Sequence, residues 1–281
     1  MAGESAGGGG APQRGAGGAL QVGHVTTPVV AVAEQLPGWA RLICAPNPGP
    51  MTLDGTNTWL LRAPGEAGSV VVDPGPADEE HLRAVAAAAG AVAGVLVTHG
   101  HPDHVDGLAR FCELTGAGVV RPSQLAGLAV TVIETPGHTA DSVCFLVEAG
   151  EQRAVLTGDT ILGRGTTVVA WPDGDLGDYL SSLQRLSALD GVPALPGHGP
   201  ALTDCAAAAA YYLAHRRARL EQVRAVVAAG STTPEQVVAA VYADVDRALW
   251  PAAEWSVRAQ LAYLDRAQRE SGTGPPPLDS P

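Results

Sequence analysis

The chain of 281 residues contains no lysine: its 17 basic side chains are all arginine, set against 29 acidic ones, for a formal net charge of −12. With alanine so abundant, the missing lysine reads as coding bias and carries no functional meaning. The acid excess excludes a generally basic nucleic-acid coat and disfavours non-specific adhesion to anionic membranes, although a local basic groove stays open. No run of about 20 apolar residues occurs, so no segment is expected to span a bilayer. Met1 to Leu20 is rich in glycine and alanine and lacks the apolar core of a signal peptide, so it reads as a disordered tail. The four cysteines (Cys44, Cys112, Cys144, Cys205) are widely spaced with no C-x-x-C pair. They read as reduced thiols in apolar surroundings of a cytoplasmic protein. No G-x-S-x-G is present, which removes the usual serine-nucleophile elbow.

What is present is ample apolar material, 46% of residues, in a length that allows one large domain or two smaller ones. Strands are expected at 58–61, 69–72, 92–97, 118–121, 129–134, 154–156 and 192–195, with one more after "TPGHT". Helices are expected over 77–89, 103–114 and 178–189. Strands alternating with helices, with motifs at strand C-terminal ends, argue for an α/β architecture. From Asp204 the pattern turns purely helical: 206–229, a helix opening at Thr233-Pro234-Glu235-Gln236 with a capping box, and 254–269. The expected organisation is therefore a tail over 1–22, a catalytic domain over 23–203, a helical domain over 204–270 and a second tail over 271–281.

Four short segments carry the chemistry. The first is His99-Gly100-His101-Pro102-Asp103-His104, between an apolar strand and a helix. In extended backbone, residues two apart face the same side, so His99 and His101 aim at one ion while Asp103 and His104 turn to a second. The others are His138 in "PGHT", Asp159 in "TGDT" and His198 in "PGHG", each flanked by glycine just past an expected strand. Five imidazoles and two carboxylates suit zinc or another borderline divalent metal, with iron and manganese as further options. Seven ligands are too many for one tetrahedral ion and enough for two. His24, His81 and His215 stand apart from any such cluster and read as solvated or satisfied core histidines.

"THGHPDH" followed by "TPGHT", "TGDT" and "PGHGP" resembles the metallo-β-lactamase superfamily over roughly Val30 to Pro200. That resemblance implies an αββα sandwich with metals at one edge. It implies that His99, His101 and His138 bind the first metal, that Asp103, His104 and His198 bind the second, and that Asp159 bridges them. "GTNTWLL" at Gly55 to Leu61, "GDTILGRGTTVV" at Gly158 to Val169 and "DYLSSLQRL" at Asp178 to Leu186 resemble the beta-lactamase-like protein 2 branch. The helical C-terminus is similar to that branch's small winged-helix-like domain. Only 33 residues separate His104 from His138, short for the branch, which implies a more open or altered pocket wall. Within the superfamily, an aspartate bridge at Asp159 argues against antibiotic hydrolysis as the native role.

The expected reaction is hydrolysis without a covalent intermediate. Two divalent ions lower the pKa of a bridging water from near 16 to about 7, and Asp103 is placed to hydrogen-bond and orient the resulting hydroxide. Substrate stays open between an ester, thioester or related small acyl compound and single-stranded RNA, the latter implied by the branch. Arg216, Arg217, Arg219 and Arg224 form a cluster that would track phosphates, although a solvated helix face is the plainer reading. Trp171, Trp250, Trp255 and Tyr263 are expected to pack the C-terminal helices rather than stack bases. Asn57 and Thr166 are expected to line the pocket. A non-catalytic metal-containing binding protein is a third reading, disfavoured by the complete ligand set. Charge divides unevenly: 1–204 hold 21 acids and 9 arginines, a net of −12, while 205–281 hold 8 of each, a net of zero. An RNA substrate would have to be drawn in by the metals and the arginines near Arg217.

Overall fold

The computed structural model describes residues 31–169 and 171–270; both expected tails and His24 lie outside the described residues. Two sheets stack face to face. The first has the order β1(Ala40–Cys44), β2(Asn57–Leu61), β3(Gly68–Val72), β4(Ala91–Leu96), and the second β5(Gln124–Leu125), β6(Leu128–Glu134), β7(Val143–Ala149), β8(Gln152–Gly158), β9(Ala194–Pro196). Both run antiparallel until their last pair, β3–β4 and β8–β9, which is parallel.

Period-two alternation explains the stacking. Leu61, Val70, Val72 and Leu96 of the first sheet face Leu128, Phe145, Val147 and Leu156 of the second in one buried cluster. The alternate residues Leu60, Val71 and Val95 face outward. There they pack against α1(Glu79–Ala89) and α3(Leu108–Thr115) through Leu82, Val85 and Phe111. Removal of apolar surface from water, worth about 25 cal/mol per Å², drives this packing.

The outer face of the second sheet is covered by α4(Leu176–Leu186), α5(Cys205–Ala228), α6(Pro234–Val241) and α7(Trp250–Glu270). One buried cluster runs from Cys144 and Val155 through Tyr179 and Leu183 to Tyr212, Val238 and Val257, so the C-terminal helices share a core with the sandwich. The Thr233–Gln236 capping box forms as its sequence predicts. The wing of a winged-helix unit has no strand among the described residues of this region. No described helix is long and apolar enough to cross a membrane.

Two expectations fail locally. The helix over 103–114 is broken into α2(Pro102–Val105) and α3, because Gly107 lies against the 75–76 turn, where a Cβ would come within 2.7 Å of the Pro76 carbonyl oxygen. The strand over 118–121 reduces to one bridge, Val95 to Val119, beside β4.

Candidate metal centre

Every proposed ligand follows the C-terminal end of a strand. β4 runs into His99, His101, Asp103 and His104; β6 into His138; β8 into Asp159; β9 into His198. The two parallel pairs bring these ends to one edge, and bonds between the sheets hold it there. Asn57 N donates to the Gly197 carbonyl at 2.7 Å, and its side-chain amide donates to the carbonyls of Pro196 and Gly199 at 2.9 and 2.8 Å. Asn57 is 2% exposed. The expectation that Asn57 lines the pocket is therefore corrected: a side chain whose amide hydrogens are spent on the His198 loop positions that loop. Thr166 does line the cavity that contains His138 and Asp159.

The structure brings all seven residues together in three overlapping triads: His99, His101 and His138; His99, His104 and Asp159; Asp103, His104 and His198. Asp159 reaches both sides, with Oδ2 3.7 Å from His138 Nε2 and 3.3 Å from His198 Nε2, and Oδ1 3.5 Å from His104 Nε2. Asp159 Oδ1 is buried without a hydrogen-bond partner. Buried polar atoms seldom remain unpartnered, and an oxygen among imidazoles is a cation's place.

In four of the five rings an outer partner fixes which nitrogen carries the lone pair. His138 Nδ1 donates to the Val168 carbonyl at 2.6 Å, and His198 Nδ1 to the Gly55 carbonyl at 3.1 Å. His104 Nδ1 donates to Asp73 Oδ2 at 2.9 Å. Thr98 Oγ1 gives its own hydrogen to Asp73 at 2.6 Å, so it accepts from His99 Nδ1 at 3.1 Å. In each neutral ring Nε2 is then bare. These bare atoms crowd inward: His104 Nε2 is 3.3 Å from His198 Nε2, and the Nε2 atoms of His99 and His138 lie 3.1 and 3.0 Å from His101 Nδ1, a ring with no outer partner among the described residues to fix its tautomer. Facing lone pairs at that separation repel unless a proton or a cation lies between them. The donor set fits divalent metal.

Protons fill part of that role when no cation does. Burial opposes charge on His104, yet Asp159 and Asp73 hold its pKa well above the usual histidine value. Burial likewise opposes charge on His198, but Asp159 and Asp103 bring it up to about 9. Asp159 would be pushed up by burial; His104 and His198 hold it well below the carboxylate range instead. His99 and His138 are lowered, chiefly by burial.

Two polar residues escaped the sequence reading. Asp73, 2% exposed and at φ +51°, accepts from Thr98 N at 2.8 Å, from Thr98 Oγ1 and from His104. Its sequence signal, an acid at a strand end in "DPGP", reads only as a turn. Thr56 donates to Asp103 Oδ2 at 3.1 Å while accepting from Asn47 at 3.0 Å. His81 keeps a structural place, buried against the Thr58 hydroxyl at 3.1 Å.

The arginine cluster is corrected as well. Arg216 is 3% exposed, donates to the Thr167 carbonyl and lies 5.3 Å over the Tyr179 ring. Arg219 donates to the Val241 carbonyl at 2.5 Å and stacks on Tyr242 at 4.5 Å. Helix packing turned both inward, so only Arg217 and Arg224 remain on the exposed face.

A two-sheet sandwich thus carries at one edge a His/Asp cluster that could hold metal ions. Residues 51–130 and 123–198 match the Metallo-beta-lactamase superfamily, and residues 233–269 match the Beta-lactamase associated winged helix domain. The chain belongs to the metallo-β-lactamase superfamily, whose members are generally hydrolases. The Beta-lactamase-like protein 2 homolog of Caenorhabditis elegans is 32% identical over 264 residues, covering 84% of this chain and 83% of its own. The Atrochrysone carboxyl ACP thioesterase of Aspergillus fumigatus is 38% identical over 174 residues, covering 54% of this chain and 53% of its own. A beta-lactamase domain protein from Burkholderia ambifaria shares the fold with a TM-score of 0.68, over 87% of this chain and 91% of its own at 23% identity.

Proposed function

We propose that this protein is a dinuclear metal hydrolase acting on a small acyl substrate, an ester or thioester. The observation that carries it is the inward convergence of five imidazoles, four of them locked from behind by their own partners: His99, His104, His138 and His198. His99, His101 and His138 would hold one ion, Asp103, His104 and His198 the other, and Asp159 both. Zinc suits this set of nitrogen and oxygen donors best. Bound there, the ions would supply a Lewis acid for the carbonyl oxygen and an acidified water at neutral pH.

The chain's own residues do the rest. Asp103 is the more open of the two carboxylates, its side chain 27% exposed against 10% for Asp159. The Thr56 hydroxyl fixes its Oδ2, which leaves Oδ1 to take a hydrogen from the attacking water. Thr166 lines the cavity on the His138 side and would contact substrate. The thioesterase named among the relatives supports an acyl substrate. We take residues 23–203 as the catalytic domain and 204–270 as the helical one, and the four free cysteines support a cytoplasmic setting.

Single-stranded RNA is the weaker reading. Of the four arginines offered for phosphate tracking, Arg216 and Arg219 face a cavity rather than an open surface groove, and the net charge repels a polyanion. The test is a panel of ester, thioester and phosphodiester substrates, run against preparations of measured metal content. Thioester or ester turnover proportional to metal supports the proposal. Turnover confined to RNA replaces it with the nuclease.

A further inference from the structure

The cavity beside the metal cluster, about 330 Å³, reaches from His138 and Asp159 to the C-terminal helices. Much of its wall is apolar, with Met51, Leu53, Leu162, Val245 and Leu249 contributing. Two arginines from α5 also line it, Arg216 and Arg219. Neither forms an ion pair with a described carboxylate, whereas the third arginine of the lining, Arg164, pairs with Asp54.

Arg216 is the more telling of the two. It is 97% buried on a 3% exposure, its Nε is buried with no hydrogen-bond partner, and its neighbours are a carbonyl oxygen and the face of a tyrosine. A guanidinium cannot shed its charge, so burial without a counter-ion is costly and must be offset by something that binds it. Next to it His215 Nδ1 is also buried and unpartnered, and burial first, then Arg216 and Arg219, lower that imidazole to about 4. The field on this wall is positive. The wall is also linked to the metal side: Arg216 donates to the Thr167 carbonyl, and His138 donates to the next carbonyl, that of Val168.

Resting on the hydrolase reading, we infer that the substrate is an acid as well as an acyl compound: an apolar body with a carboxylate that Arg216 and Arg219 receive while its ester or thioester carbonyl lies at the His138–Asp159 side. Arg219 and Arg216 are then specificity-determining residues. A carboxylate matches the guanidinium fork, and a hydrocarbon body matches the apolar wall between.

Two measurements on the metal-loaded protein test this. The first is calorimetric binding of octanoate and of octanol to wild type and to Arg219→Gln. Arg219 is chosen because Arg216 also holds the loop that carries Thr167. Losing one charge-assisted bond should weaken octanoate by about tenfold or more and leave octanol unchanged, with Arg219→Lys recovering part of the loss. Equal octanoate affinity in wild type and Arg219→Gln overturns the inference. The second compares hydrolysis of a thioester of adipic acid with that of its neutral methyl ester. Wild type should prefer the acid through KM, and Arg219→Gln should bring the kcat/KM ratio toward one. No preference in wild type overturns the inference while leaving the hydrolase intact. Arginine-dependent octanoate binding without turnover of any ester or thioester of the panel sustains the anion site and removes the hydrolase reading. Arg219-dependent binding of a single-stranded oligoribonucleotide that displaces octanoate overturns the small acid in favour of nucleic acid.

Discussion

Asp73 Oδ2 lies 2.9 Å from His104 Nδ1, and the same carboxylate receives both the backbone and the hydroxyl of Thr98. The hydroxyl in turn orients His99. One aspartate just past the end of β3 therefore sets the tautomers of two adjacent imidazoles of the cluster, whose ring centroids are 4.3 Å apart. Asp73→Asn presents an amide that can donate as well as accept, where all three neighbours need an acceptor. Loss of such an outer partner costs about 10- to 100-fold in metal affinity. Chelator competition should show that loss with the far-ultraviolet circular dichroism unchanged. Unaltered affinity would show that the ring orientations are held by other means.

Gly197 approaches the ligands so closely that a Cβ there would stand 2.5 Å from Asp159 Oδ1 and 2.8 Å from His104 Cε1. Gly197→Ala should therefore displace both side chains, lowering metal content and activity together. Gly118→Ala is the control, since a Cβ at that position meets nothing within 4 Å. Plasma emission analysis of the two purified variants reads the difference. Full metal content in Gly197→Ala would mean that the cluster tolerates a shift it has no visible room for.

How much of this was legible beforehand differs by element. The seven ligand candidates could be read because each follows an apolar strand in a glycine-flanked motif, and strand ends are where α/β folds gather chemistry. Asp73 could not, because a lone acid in a turn has no periodic or spacing signal; its role exists only once β3 and β4 pair in parallel. Arg216 and Arg219 misled for a related reason. On an isolated helix they share a polar face, but α5 is covered by α4, α6 and α7, and its apparent surface became wall and core. The break at Gly107 is likewise tertiary, imposed by the turn after Asp73.

His215 gives a pH dependence whose sign can be worked out. Its imidazole is lowered to about 4 in the folded chain by burial and by Arg216 and Arg219, against an ordinary value near 6.5. Below pH 6.5 the unfolded chain takes up a proton that the folded chain refuses until about pH 4, so acid favours unfolding across that window. Thermal melts of wild type should fall in midpoint from pH 6.5 to 4. His215→Gln, which cannot titrate, should fall less steeply. Parallel slopes would place His215 in an environment that accepts its charge.

The most direct measurement of the central claim is metal stoichiometry set beside acyl hydrolysis in one preparation. Two divalent ions per chain are expected. Stripping them with a chelator should abolish thioester turnover and lower the melting midpoint, and restoring zinc should return both. Asp159→Asn should hold fewer ions and be inactive. A chain that retains full thioester hydrolysis after complete metal removal, or that takes up no divalent metal at all, would contradict the assignment of these seven side chains.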